Sequence, residues 1–145
     1  MRLLIASVLL ISIAVGQIQT TPPPQNDPFV GTWQEKRAKK SGYVRTITRD
    51  GEELVFSSQG NPSKPKEHNY RIRCDGLFHP VPFGSISCKY ESPKVVLGES
   101  RDTGKPPIYW KREVSTDGQK MIIHGYTDGG RETELGTASV LYRVK

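Results

Sequence analysis

Arg112 is the charge best placed to do chemistry. It follows Ile108 and Trp110 and precedes Val114 in a run of alternating residues, so strict alternation turns its guanidinium toward the apolar side. A guanidinium carried inside a fold needs an anion or several acceptors, and a ligand carboxylate or phosphate would serve. The other orientation stays open, because a bulge or strand end at Arg112 would return it to water. Trp110, Phe56, Tyr126 and Tyr109 could line an apolar pocket beside it. Packing of a self-filled core accounts for the same aromatics equally well.

Other chemistry finds little support. His68, His79 and His124 are scattered, and none has metal-ligand spacing, so no metal is expected. No Gly-x-Ser-x-Gly occurs, Cys88 has no evident His partner, and Gly-rich phosphate loops are missing. The acidic pairs Glu52-Glu53 and Glu132/Glu134 fall near turns and read as solubilising charge. The expectation is a non-enzyme without a cofactor. Nucleic acid is not expected as a partner, since basic residues are not interleaved with exposed aromatics.

The 145-residue chain opens on a targeting segment. Arg2 precedes an apolar run, Leu3 to Val15, and Ala14-Val15-Gly16 supplies the small residues of a cleavage site, giving a signal peptide over 1–16. The run is short for a membrane span. A secreted or periplasmic location follows, with a mature form that does not span the membrane. Residues 17–28, with Pro22-Pro23-Pro24, read as a proline-rich disordered spacer, and 29–145 as one domain. Cys74 and Cys88 are the sole cysteines, and export favours a disulfide between them.

The net charge of +6 is uneven. Gln34 to Cys74 holds ten Lys or Arg against five acids, densest at Lys36, Arg37, Lys39 and Lys40. That cluster could meet an anionic envelope surface, or it could be a solvated loop.

These residues must be positioned by strands, since period-two alternation runs through the domain. Tyr70, Ile72 and Cys74 share one face, as do Ile86, Cys88 and Tyr90, and Ala138, Val140, Tyr142 and Val144. The spacing predicts strands near 29–34, 43–49, 52–58, 67–74, 85–91, 94–100, 108–115, 120–126, 130–135 and 137–144. Asp50-Gly51, Asp75-Gly76, Asp117-Gly118 and Asp128-Gly129 suit turns between them, with type I′ geometry expected around Asp117-Gly118. Residues 34–42 could form a turn of helix, and 61–65 is a Pro-containing loop. Asp75 to Gly84, with Pro80 and Pro82, reads as an irregular loop pinned by the disulfide. A full strand at Leu77 to Val81 would hold the two cysteines too far apart. Such a meander leaves two adhesive edges unless it closes, so the fold class is all-β, an antiparallel up-and-down meander closing into a small barrel.

Phe29-Val30-Gly31-Thr32-Trp33 resembles the first strand of the fatty-acid-binding proteins, and Gly31-x-Trp33 resembles the lipocalin signature. The start, Asp27 to Trp33, also resembles small secreted bacterial proteins of unknown function that share an Asp-Pro-Phe-x-Gly-Thr-Trp element. The lipocalin resemblance implies a barrel around a small apolar molecule, closed at its base by Phe29, Gly31, Trp33 and Arg143. Arg143 would cover the Trp33 indole as a structural cation–π contact. The carboxylate clamp of the fatty-acid-binding proteins does not carry over, because Tyr142-Arg143 lacks its Arg-x-Tyr order.

Two functions follow. One is a secreted or periplasmic binding protein for a small hydrophobic or amphiphilic molecule, with Trp110, Arg112, Phe56 and Tyr126 as its contacts. The other is a ligandless interaction module whose basic cluster binds an anionic envelope component or a protein partner.

Overall fold

The computed structural model describes residues 23–35, 44–59 and 69–145. The signal segment, the first part of the spacer, the basic cluster Lys36, Arg37, Lys39 and Lys40, and the loop at 61–65 lie outside the described residues. Ten strands follow in order: β1 (Gly31–Glu35), β2 (Val44–Asp50), β3 (Glu53–Gln59), β4 (Tyr70–Arg73), β5 (Asp75–Val81), β6 (Gly84–Ser92), β7 (Val95–Asp102), β8 (Ile108–Val114), β9 (Lys120–Tyr126) and β10 (Ser139–Arg143). They form one antiparallel sheet ordered β4-β3-β2-β1-β10-β9-β8-β7-β6-β5. First and last strands meet through the pair Trp33 and Arg143. The edges β4 and β5 are consecutive in the chain, with Cys74 alone between them, so the sheet curls into a nearly closed barrel.

That corner corrects the reading of Asp75 to Gly84 as an irregular loop. β5 is a strand that folds directly onto β6, pairing Asp75 with Lys89 and Val81 with Gly84. Pro80 is tolerated because β5 is a sheet edge, where a missing N–H costs no ladder bond. Gly76, at φ 83°, sits where the register shifts between Asp75 and Phe78, so Asp75-Gly76 makes a bulge rather than a turn. No strand intervenes between the cysteines. Cys74 enters β5 beside its partner β6, and the Cys74–Cys88 disulfide closes with Cα atoms 4.5 Å apart. It ties the β4–β5 corner to β6. Replacing both cysteines with alanine should lower stability by about 3 kcal/mol. Denaturant titration of the oxidised protein against the C74A/C88A variant measures this, and an unchanged midpoint would refute it.

Two further expectations change. Residues 130–135 form no ladder strand. The Asp128 carboxylate accepts the N–H groups of Glu132 (3.2 Å) and Thr133 (2.8 Å), which bends this segment into a loop touching β9 by one bridge, Tyr126 to Glu134. The turns are not type I′ either. At Asp50-Gly51-Glu52-Glu53 only Gly51 has positive φ (59°), the pattern of type II′. Around Asp117-Gly118 only the glycine is left-handed (70°), within a longer loop closed by Gly118 N–H to Ser115 O at 2.9 Å.

Inward residues fill the base. Phe29, Trp33, Ile47, Leu54, Phe56, Ile72, Met121 and Leu141 are all buried. The Trp33 indole N–H donates to Phe29 O at 2.9 Å. Arg143 lies 4.3 Å over the same ring and donates to the carbonyls of Gly118, Val30 and Pro28 at 2.7–2.9 Å. Gly31 leaves room for that guanidinium: a Cβ there would sit 2.3 Å from Arg143 Nη1, and its φ of 144° disfavours a side chain. Packing begins earlier than the expected boundary at Phe29. Asp27, assigned by sequence to the spacer, is buried, and its carboxylate accepts Phe29 N–H (2.9 Å), the Tyr90 hydroxyl and Arg49.

Candidate functional site

Antiparallel strands send alternate connections to opposite ends. The base holds the β2–β3, β6–β7 and β8–β9 turns. The other end is where β1, β3, β5, β7 and β9 finish, and it opens into a chamber of about 440 Å³. A cavity of this size suits a small molecule. Below it the remaining void among Phe29, Ile47, Leu54 and Phe56 is about 10 Å³, no more than a single water needs. The interior is therefore divided into a packed base and an open upper half.

Trp110 and Arg112 border both spaces and form the chamber floor. Both sit on the inward face of β8, with Val114 below them, opposite Gly125, Ile123 and Met121 of β9. The Trp110 ring lies on Gly98, where a Cβ would come within 2.1 Å of it, and its indole N–H donates to Ser100 Oγ at 3.0 Å. Arg112 turns inward, as strict alternation expects. Its guanidinium lies 4.5 Å from the Trp110 ring and 5.0 Å from Phe56, held by cation–π attraction on both sides. Nη2 donates to the Tyr70 hydroxyl at 3.4 Å, while Nε is buried without a hydrogen-bond partner among the described residues.

Tyr70 stacks on Phe56, ring centroids 4.7 Å apart, and meets Phe83 edge-on across the β4–β5 seam. Burial alone would raise its phenol pKa. The positive charges of Arg112 and Arg45, with their hydrogen bonds to the oxygen, outweigh burial and bring it below the ordinary phenol value. The floor thus favours negative charge. Phe83, Ile86, Ile108 and Ile123 supply apolar walls, and at the rim Lys105 pairs with Asp102 at 3.4 Å.

The expected contacts divide. Trp110 and Arg112 face the chamber, while Phe56 lies beneath Arg112 and supports it from the base. Tyr126 is a correction: it pairs with Tyr109, on the face opposite Trp110, and so lies on the outer wall under the 127–138 loop. There it stacks on His124, which also bonds Glu134 at 3.1 Å. Sequence reasoning missed Tyr70, Arg45 and Ser100. Each had a signal, since Tyr70 alternates with Ile72, Arg45 with Ile47, and Ser100 with Val96 and Gly98. Among the described residues no three His, Cys, Asp or Glu side chains gather as a metal site, and no helix is long and apolar enough to cross a membrane.

No family model matches the chain, and no curated protein matches it. Among solved structures it is similar to a mutant of the fluorescent protein UnaG, with a TM-score of 0.56 at 13% identity, covering 81% of this chain and 97% of that one. The similarity shows the fold: an antiparallel barrel of the lipocalin and fatty-acid-binding-protein type.

Proposed function

We propose that this protein is exported and binds a small amphiphile in the upper half of its barrel, with the acidic group of the ligand on Arg112 and the apolar part against Ile86, Ile108 and Ile123. One observation carries the reading. Arg112 is an inward guanidinium on the floor of an open chamber with both apolar and polar walls. A carboxylate there would accept from the guanidinium and replace the water that a desolvated cation loses. The lowered Tyr70 pKa supports the same sign of charge. Export is supported by the apolar run Leu3 to Val15 and by the disulfide.

The test compares a medium-chain fatty acid with its methyl ester by displacement of an environment-sensitive apolar dye. The acid should bind at one saturable site about tenfold or more tighter than the ester, the value of a hydrogen bond to a charged group. Arg112→Met, which keeps length and loses charge, should make acid and ester equal. No saturable displacement, or equal binding of the two by the wild-type protein, overturns the reading.

A second reading gives the basic cluster Lys36 to Lys40 an anionic envelope surface or a protein partner. It is favoured by β1 ending and β2 beginning at the open end of the chamber, the two strand ends that flank the cluster in sequence. Retention on anionic vesicles that is insensitive to salt and to removal of those charges would eliminate it.

A further inference from the structure

Ser100 lies on the inward face of β7, two residues beyond Gly98, on the chamber wall. Its hydroxyl has one proton to give and two lone pairs to offer. One lone pair accepts the Trp110 indole N–H at 3.0 Å, and this is the one hydrogen bond the Ser100 side chain makes among the described residues. The Oγ–H therefore remains to be donated. The indole cannot swing away to release the oxygen, because its ring is seated on Gly98 and covered by the Arg112 guanidinium. Two polar groups thus flank one fixed indole: the Arg112 guanidinium at the floor and the Ser100 Oγ–H on the wall. An unsubstituted hydrocarbon chain laid over Trp110 would satisfy the first through its acid group. It would bury the second without an acceptor.

We propose that Ser100 determines ligand specificity, selecting amphiphilic acids that carry a second oxygen acceptor, a ketone or hydroxyl, on the chain a few carbons from the acid group. This deepens the amphiphile reading above and rests on it. The physical basis is asymmetric. A donor paired with a ligand oxygen gains modestly over water, but a donor buried against methylene groups is penalised, so the site rejects the plain chain more strongly than it attracts the substituted one. Arg112 sets that the ligand is an acid. Ser100 sets which acid.

The experiment measures dissociation constants by dye displacement for dodecanoate and for a series of dodecanoates bearing one ketone at successive carbons from the third to the eighth. In the wild-type protein one or two neighbouring positions should bind about tenfold tighter than dodecanoate. In Ser100→Ala that preference should vanish while dodecanoate binds as well as before or better. Far-ultraviolet circular dichroism verifies the fold of the variant. Trp110→Phe, which retains the serine but frees its oxygen from the indole, should flatten the positional preference without reversing it. If dodecanoate binds but no ketone position improves on it, or if the preference survives Ser100→Ala, the specificity role is overturned and the amphiphile reading stands. If no acid in the series binds, both fall together.

Discussion

Trp33→Ala should remove about 3–5 kcal/mol of stability, the range for truncating a fully buried aromatic side chain. The indole is 0% exposed, so the whole ring volume becomes a cavity between the first and last strands. The loss extends beyond packing. Phe29 O gives up the indole N–H, and the Arg143 guanidinium loses the face on which it rests, although its three carbonyl partners remain. Small domains hold about 5–15 kcal/mol in total, so a large part of the margin would go. Urea denaturation measures it directly. Trp33→Phe separates the contributions, since it retains most of the ring and forfeits the N–H bond, and should cost less than half as much. A change below 1 kcal/mol in the alanine variant would mean that the two ends of the sheet are not held together at this ring.

Asp27→Ala should be nearly as damaging, at about 2–4 kcal/mol. Breaking a buried ion pair strands the surviving charge, and the usual figure is reduced here because the Arg49 side chain keeps 20% of its exposure. Phe29 N–H and the Tyr90 hydroxyl lose their acceptor at the same time. Were residues 17–28 a tether throughout, this substitution would have no effect, so denaturant midpoints distinguish the two situations. Alkali supplies a second readout. Burial, then the hydrogen bond to Asp27 and its negative charge, pushes the Tyr90 phenol well above its ordinary value. Above about pH 10 the unfolded chain releases a proton that the folded protein keeps, so this group's contribution to stability falls as pH rises. Tyr70 has the opposite sign, since its lowered pKa adds stability above that pH. The Tyr90 loss should shrink in Asp27→Ala, where two of its causes are gone. An equally steep alkaline loss in both proteins would contradict the assignment.

Much of the barrel can be read from alternation, because a strand wet on one side must repeat every two residues. Trp33, Ile47, Phe56, Ile72 and Trp110 all point inward as that rule requires. The last strand is a correction: the face carrying Ala138, Val140, Tyr142 and Val144 is the outer one, with Val140 and Val144 exposed, and Leu141 on the other face is the buried residue, because register with β1 and β9 rather than the count of apolar residues decides which face turns in. β5 escaped because Pro80 and Pro82 look like breakers, and whether a proline breaks a strand depends on its being an edge, which local pattern does not report. Tyr126 was misplaced for a related reason. Its aromatic type suggested a lining residue, but its facing is set by the pairing with Tyr109 across β8 and β9. The chamber was harder still. Tyr70, Arg45, Ser100 and Arg112 come from four strands, and alternation shows facing without showing height along the barrel axis. Which inward residues share a level depends on register between strands. Asp27 was hidden by its setting, an acid among prolines whose partners lie 22 and 63 residues away.

The corner at Cys74 also governs how this ribbon is threaded. Since β1 and β10 are neighbours in the middle of the ladder, joining them covalently and cutting at residue 74 would yield a circular permutant whose strands pair strictly with their successors, from β5 through β10 and β1 to β4. Every ladder bond would survive such a rewiring, yet the two outer strands would lose their covalent hinge. The peptide corner with its sulfur cross-link is therefore the covalent part of the tube's last closure, beside the side chains that meet across the seam, and a flat, self-associating sheet is the alternative that closure suppresses.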